Sequence, residues 1–285
     1  MVFVRTLHAG LATVKPNAHG TSIDAENQRV RKSPAMDLQL KGRTALVTGA
    51  SMGIGRAIAR MLAGEGVKVA AVARRKPLLD ELAAEIARAQ DPAPALIVQD
   101  VMAPDAAERI RDQAVSALGK VEILVNCAGG SRPLPVDAGE DRWEEAMTLN
   151  FTRVRQLTHA ILPGMMERKW GRIVTITGKS EPEHINAAFA AKAAIHAWAK
   201  GLSRDVGRLG ITVNSIAPGR IMSEQIRRNY PPEERERFSR AEIPVGRYGE
   251  PEELAVMAVF LCSPLAGYIT GTVIPVDGGL RRYQF

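Results

Sequence analysis

The run Thr48-Gly49-Ala50-Ser51-Met52-Gly53-Ile54-Gly55 concentrates the clearest chemistry in the chain. Its three glycines let the backbone turn tightly and let a phosphate approach it closely. An apolar stretch precedes the run and a helical pattern follows it, which sets its amides at a helix amino terminus. Unpaired N–H groups and the helix dipole favour negative charge there. The ligand implied is the pyrophosphate of a dinucleotide, held by Gly49, Met52, Gly53, Ile54 and Gly55, with Ser51 adding a hydroxyl. A second set of residues, Ala73-Arg74-Arg75, ends the next apolar stretch. A carboxylate at that place binds a ribose 2′-hydroxyl and repels a 2′-phosphate, whereas arginine engages the phosphate with charge-assisted bonds. NADP(H) is therefore expected in preference to NAD(H).

These residues need particular elements to position them. RTALVTGA, VKVAAVARR, ALIVQDV, VEILVNCAG, GRIVTITG, ITVNSIAPG and TVIPVDGG read as strands, and helical segments separate them. Strands so nearly continuous in apolar residues are buried on both faces, as in a parallel sheet covered by helices. Right-handed connections then give a doubly wound, Rossmann-type three-layer α/β/α domain. Residues 36–285 form that single domain. Residues 1–35 show no sustained periodicity and are expected to be a flexible extension, with Met36 as a candidate natural start.

The 285 residues carry a formal net charge of +7. The first 35 account for +3 of it, leaving a modest +4 for the domain, with no basic stripe interleaved with aromatics. Nucleic acid is not an expected partner. No apolar run reaches membrane-spanning length and no secretory signal is legible, so a cytoplasmic protein is expected, without a membrane partner. Cys127 and Cys262 stand in apolar settings and read as free thiols in a reducing compartment. No metal site is expected.

Further motifs carry a resemblance. The glycine run has the spacing TGxxxGxG, and Asn126-Cys127-Ala128-Gly129 is similar to NNAG. Asp100-Val101, Pro218-Gly219, IPVGRYGEPEELA and YITGTVIPVDGG complete the set. Together they resemble the short-chain dehydrogenase/reductase family, and the carboxy-terminal part resembles its 3-oxoacyl-carrier-protein reductases. The resemblance implies that Asp100 and Val101 cap the adenine pocket. It also places Asn126, Ala128, Gly129, Lys192, Pro218, Gly219 and Ile221 along the cofactor, in a protein that assembles as a homotetramer. Met52 stands where many NADP-specific relatives carry a basic residue.

Most of this family reduces carbonyls with a tetrad of Asn, Ser, Tyr and Lys. The resemblance assigns Asn150 and Lys192 to the first and last. It puts the tyrosine four residues before Lys192, at Ala188, and the serine at Gly178. Phe189 has no hydroxyl and is set about a hundred degrees around the helix. The tyrosines are Tyr230, Tyr248, Tyr268 and Tyr283, none of them in this segment. A positioned general acid contributes ~10²–10⁴-fold, so the absence matters. Three explanations stay open. One is an oxidoreductase for a carbonyl, hydroxyl or acyl-thioester substrate with a substitute donor from the loop after Gly178: His184, Lys179 or Ser180. Another is a catalytically inactive NADP-binding regulatory or partner subunit. The third is a scaffold whose role lies in oligomer contacts. Arg227 and Arg228 would attract an acidic carrier or coenzyme A phosphate, but Glu233, Glu234 and Glu236 lie close by in sequence.

Overall fold

Alternate residues of each strand enter opposite cores. Ala45 and Val47 pack into one cluster while Leu46 enters the other; Val69 and Ala71 are likewise opposed to Ala70 and Val72, and Ile123 and Val125 to Leu124. This is the period-two alternation of a strand covered on both sides. The structure, a computed structural model, describes residues 36–131, 133–178 and 184–282. The proposed extension, Lys179 and Ser180 lie outside them.

In chain order the elements are β1 (Thr44–Thr48), α1 (Gly53–Gly64), β2 (Lys68–Ala73), α2 (Lys76–Arg88), β3 (Ala95–Val98), α3 (Ala106–Leu118), β4 (Ile123–Asn126) and α4 (Glu140–Met147). A π-helical turn (Thr148–Thr152) leads into α5 (Arg153–Arg168), followed by β5 (Gly171–Ile176), α6 (Ala187–Val206) and β6 (Ile211–Pro218). Next come α7 (Glu224–Asn229), α8 (Pro232–Glu242), α9 (Pro251–Cys262) and β7 (Val273–Val276). The seven strands pair in parallel in the order β3-β2-β1-β4-β5-β6-β7. Each expected strand is present, and the fold is the doubly wound α/β/α arrangement. Helices α1, α2 and α9 cover one face of the sheet, and α3, α5 and α6 the other.

The strand order runs outward from β1 to β3 and then returns to β4 beside β1. That reversal opens a crevice at the carboxyl ends of β1 and β4, where open α/β sheets bind ligands. Both the glycine run and Asn126-Cys127-Ala128-Gly129 lie there. Residues Thr148–Thr152 form a π-helical turn. Such turns are uncommon and concentrate at functional sites. Among the described residues, no helix is long and apolar enough to cross a membrane.

Candidate functional site

The glycine run is shaped by close approach. Gly49 has φ +68°, and a β-carbon there would lie 3.0 Å from Ala128 N. A β-carbon on Gly55 would overlap the Gly49 carbonyl oxygen, and Gly53 has φ +53°. Thr48 Oγ1 locks the two strand ends together, accepting from Cys127 N at 3.0 Å and Ala128 N at 3.1 Å. Met52, extended at φ −160°, precedes α1 without a side-chain cap, and no acid occupies the first turn. The opening amides of α1 are thus left for an incoming anion, the cradle a pyrophosphate fits. Ser51 is buried in the loop, and Ile54 packs against the core.

The arginines after β2 reach this loop. Arg75 Nη2 lies 3.1 Å from Met52 Sδ, and its Nη1 lies 3.8 Å from Glu224 Oε2 at the start of α7. Arg74 Nη1 stands 3.8 Å from Asp100 Oδ2. Asp100 Oδ1 accepts from Met102 N at 3.0 Å, which fixes the turn after β3, and Val101 packs into the second core. Long, exposed ion pairs of this kind are worth little, so a phosphate can displace them.

Across the crevice, Asn150 is held within the π-helical turn. Its Nδ2 donates to Ala146 O at 2.9 Å, and its Oδ1 accepts from Gly130 N at 3.2 Å. Gly129 is pressed against it, since a β-carbon there would lie 3.0 Å from Asn150 Oδ1. Asn126 donates to Thr158 Oγ1 at 3.1 Å, bracing β4 on α5. Pro218 ends β6, and a β-carbon on Gly219 would stand 2.6 Å from Asp277 Cα. Ile221 bridges to Gly249 and has its side chain in the core. Only its backbone is therefore left to face a cofactor.

Between these walls lies the amino-terminal half of α6. Ala188 is buried, and Lys192 follows one turn later. A β-carbon on Gly178 would stand 3.2 Å from Lys192 Cδ, 3.8 Å from its Nζ and 3.7 Å from Phe189 Cδ1. The Phe189 ring therefore meets Gly178 rather than turning away from it: near the start of α6, a hundred degrees of rotation still lets a long aromatic reach the adjoining strand end. Burial pushes the Lys192 ammonium below the usual lysine range, with nearby Cys127 opposing the shift only in part. Burial also pushes the Cys127 thiol up to about 12, against the pull of Lys192. Cys127 and Cys262 are both free thiols. His184 is exposed.

Two positioning residues escaped the sequence reading. Asn186 caps α6, accepting from Ala188 N at 3.0 Å while donating to Ser131 Oγ at 2.9 Å. An Asn directly before an apolar helical run was the available signal. His196 lies on the Lys192 face, four residues on, with Nε2 2.8 Å from Thr177 Oγ1. Its spacing from Lys192 was legible, but the partner just after β5 was not. Among the described residues, no group of three or more His, Cys, Asp and Glu side chains is placed to hold a metal ion.

This geometry has counterparts among known proteins. Residues 49–281 match the family model described as Enoyl-(Acyl carrier protein) reductase. The chain is 35% identical over 248 residues to 3-oxoacyl-[acyl-carrier-protein] reductase FabG of Vibrio cholerae serotype O1, covering 85% of this chain and 99% of that protein. A 7α-hydroxysteroid dehydrogenase solved with NADH and 7-oxo glycochenodeoxycholic acid superposes with a TM-score of 0.81 at 33% identity, over 85% of this chain and 96% of that one. L-sorbose reductase from Gluconobacter frateurii, solved with NADPH and L-sorbose, gives 0.82 at 29% identity, over 87% of this chain and 100% of that one. The chain belongs to the short-chain dehydrogenase/reductase family. Within it, the chain resembles the 3-oxoacyl-carrier-protein reductases.

Proposed function

We propose that the chain is an NADP(H)-dependent oxidoreductase acting on a carbonyl or hydroxyl compound, with acyl thioesters as the first class to test. The observation that carries this reading is the convergence of Arg75 on Met52, 3.1 Å apart, at an uncapped helix start with no carboxylate ending β2. Gly49, Ser51, Met52, Gly53, Ile54 and Gly55 would cradle the pyrophosphate. Arg74 and Arg75 would meet the 2′-phosphate. Asp100 and Val101 would border the adenine, and Asn126, Ala128, Gly129, Lys192, Pro218, Gly219 and Ile221 would line the nicotinamide half. A bound nicotinamide dinucleotide supplies or accepts hydride there. The related reductase and dehydrogenase structures hold NADPH and NADH respectively, so the preference rests on the residues after β2.

In this reading Asn150 and Lys192 are what the chain keeps of the family's tetrad, with Gly178 and Ala188 at the serine and tyrosine positions. A second reading follows from that pair: a catalytically inactive NADP-binding regulatory or partner subunit. Neither side chain offers a hydroxyl, while the phosphate cradle is intact. We also take the protein to be a cytoplasmic homotetramer. Support for the assembly comes from the resemblance to the family's reductases.

Fluorescence titration with NADPH and NADH, followed by turnover on a panel of 3-oxoacyl thioesters, tests the two readings together. Tighter NADPH binding with turnover is expected. Binding without turnover on any thioester selects the inactive subunit, and tighter NADH binding overturns the assignment of Arg74 and Arg75. Light scattering reads the assembly.

A further inference from the structure

We propose that Lys192 is itself the acid of this site, and that His196, seated on Thr177, is the positioning residue through which it regains its proton. The inference rests on the oxidoreductase reading above and names the donor that reading needs.

Ala188, Lys192 and His196 recur every four residues, so they share one face of α6. The first has no functional group, and no tyrosine lies between residues 171 and 229. Lys192, one turn on, reaches Gly178 after β5 instead. Its Nζ is 3.8 Å, and its Cδ 3.2 Å, from where a Gly178 side chain would begin. A serine or larger residue at 178 would compete for that space, so glycine lets the amine lie over the end of β5. Among the described residues no carboxylate forms an ion pair with Lys192. Its neighbours include the Cys127 thiol just after β4 and the His196 imidazole on its own helix. An ammonium that no described carboxylate pairs is a ready donor to an oxygen that gains negative charge.

The hydrogen bonds behind Lys192 fix the imidazole. Thr177 Oγ1 is 3.1 Å from Ile216 O, a carbonyl that can only accept, so the single hydroxyl proton points there. His196 Nε2, 2.8 Å from the same oxygen, must then donate. That assigns the proton to Nε2 and leaves a lone pair on Nδ1. The groups facing His196 are Thr177 just after β5, Lys192 from α6 and Arg281 from the carboxy-terminal segment. Burial and these two cations hold the imidazole neutral, below the usual histidine range.

The step balances as follows. An N–H bond of Lys192 breaks and an O–H bond forms on the substrate oxygen as the C=O π pair moves onto it. The carbonyl carbon is reduced by a hydride from a reduced nicotinamide dinucleotide. A water O–H bond then breaks as Nδ1 of His196 takes the proton, leaving hydroxide to the solvent. That Nδ1–H bond breaks in turn as the neutral amine regains its N–H bond, which returns the imidazole to its neutral form.

The test measures kcat and NADPH affinity for the full chain on the thioester panel, with Lys192→Arg and His196→Gln beside it. Arginine keeps the positive charge but does not release its proton. Lys192→Arg should therefore lose on the order of 10²-fold or more in kcat at saturating NADPH, with the affinity titrated beside it so that lost binding is separated from the lost acid. A charge or packing role alone would be rescued by arginine, so kcat within about threefold of the parent overturns the proposal. His196→Gln keeps a donor for Thr177 but lacks Nδ1. Its rate should fall and recover with added imidazole buffer; no recovery removes His196 from the path. A readout without turnover stands beside these, using protein labelled with ¹³C at the lysine ε-carbon. Lys192 must titrate below ordinary lysines, and its midpoint must move in His196→Gln. An ordinary midpoint overturns the proposal even in an active enzyme. Absence of parent turnover with NADPH bound instead overturns the oxidoreductase reading, and this role with it.

Discussion

Gly55 packs onto Gly49 so tightly that a β-carbon on the helix residue would overlap the carbonyl oxygen of the loop residue. The first turn of α1 is thereby pressed onto the carboxyl end of β1, and its opening amides face the crevice beside β4. The same approach that closes the core shapes the loop that, in the proposed reading, would cradle an anion.

Gly55→Ala should therefore damage both. The obstacle is backbone, which cannot swing aside, so overpacking of about 1–3 kcal/mol is expected. Thermal denaturation should show a lower Tm, and NADPH titration a weaker fit. A variant with unchanged Tm and affinity would mean that the loop yields freely. Gly53→Ala isolates conformation from space, since nothing lies within 4 Å of its added carbon while its φ is +53°.

Arg75 approaches the loop, and the nearest carboxylate, on Glu224, is 3.8 Å away. Arg75→Glu replaces attraction for a 2′-phosphate with repulsion. Charge-assisted hydrogen bonds contribute about 1.5–3 kcal/mol, so NADPH affinity should drop roughly 10- to 100-fold. NADH, without that phosphate, should be affected far less. Paired fluorescence titrations measure the ratio, and equal losses for both cofactors would move the 2′-phosphate elsewhere.

Asn186 performs two tasks with one amide: its oxygen caps α6 and its nitrogen holds Ser131 after β4. Asn186→Ala should cost about 1 kcal/mol from the cap, roughly 2–4 °C in Tm for a chain of this size. Asn186→Asp keeps the cap oxygen and should recover much of that loss in the same melting experiment. If Asp melts with Ala, the Ser131 contact outweighs the cap.

Lys192 is held below the ordinary lysine range by burial, which makes stability depend on pH in a definite direction. Between its folded midpoint and the unfolded value of about 10.4, the unfolded chain binds more protons than the folded one. Stability contributed by this group therefore rises with pH across that window, and the cost of burying the ammonium is fully present below it. Lys192→Met removes the buried charge. It should raise stability in urea at neutral pH and flatten this part of the pH dependence. A less stable Met variant would show that the ammonium is a net stabiliser.

His196 and His159 are both lowered, in each case first by burial. Their contribution runs the same way at lower pH: protonation favours the unfolded chain, so the protein loses stability as pH falls through the histidine range. His196→Gln should flatten the acid limb of a urea-midpoint profile, and an unchanged limb would overturn that assignment.

The sequence by itself determined the layers and the glycine loop that opens α1. Strands such as TALVT and KVAAVA are apolar without interruption, and only a sheet buried on both faces accommodates that. The glycines of the loop are equally legible, because positive φ and close approach are demands on a residue's own backbone. Arg74 and Arg75 follow from their place at a strand end.

Tertiary structure decided what depends on partners distant in the chain. Gly178 meets Lys192 and Phe189, Thr177 meets His196, and Asn186 reaches Ser131, 55 residues away. The π-helical turn that holds Asn150 has the composition of ordinary helix and is identified by its backbone. Local spacing specifies which face of an element a residue occupies. Which strand end that face meets is set by the order β3-β2-β1-β4-β5-β6-β7, because packing both cores at once is what brings β5 against α6 and places a bare glycine beneath a buried amine.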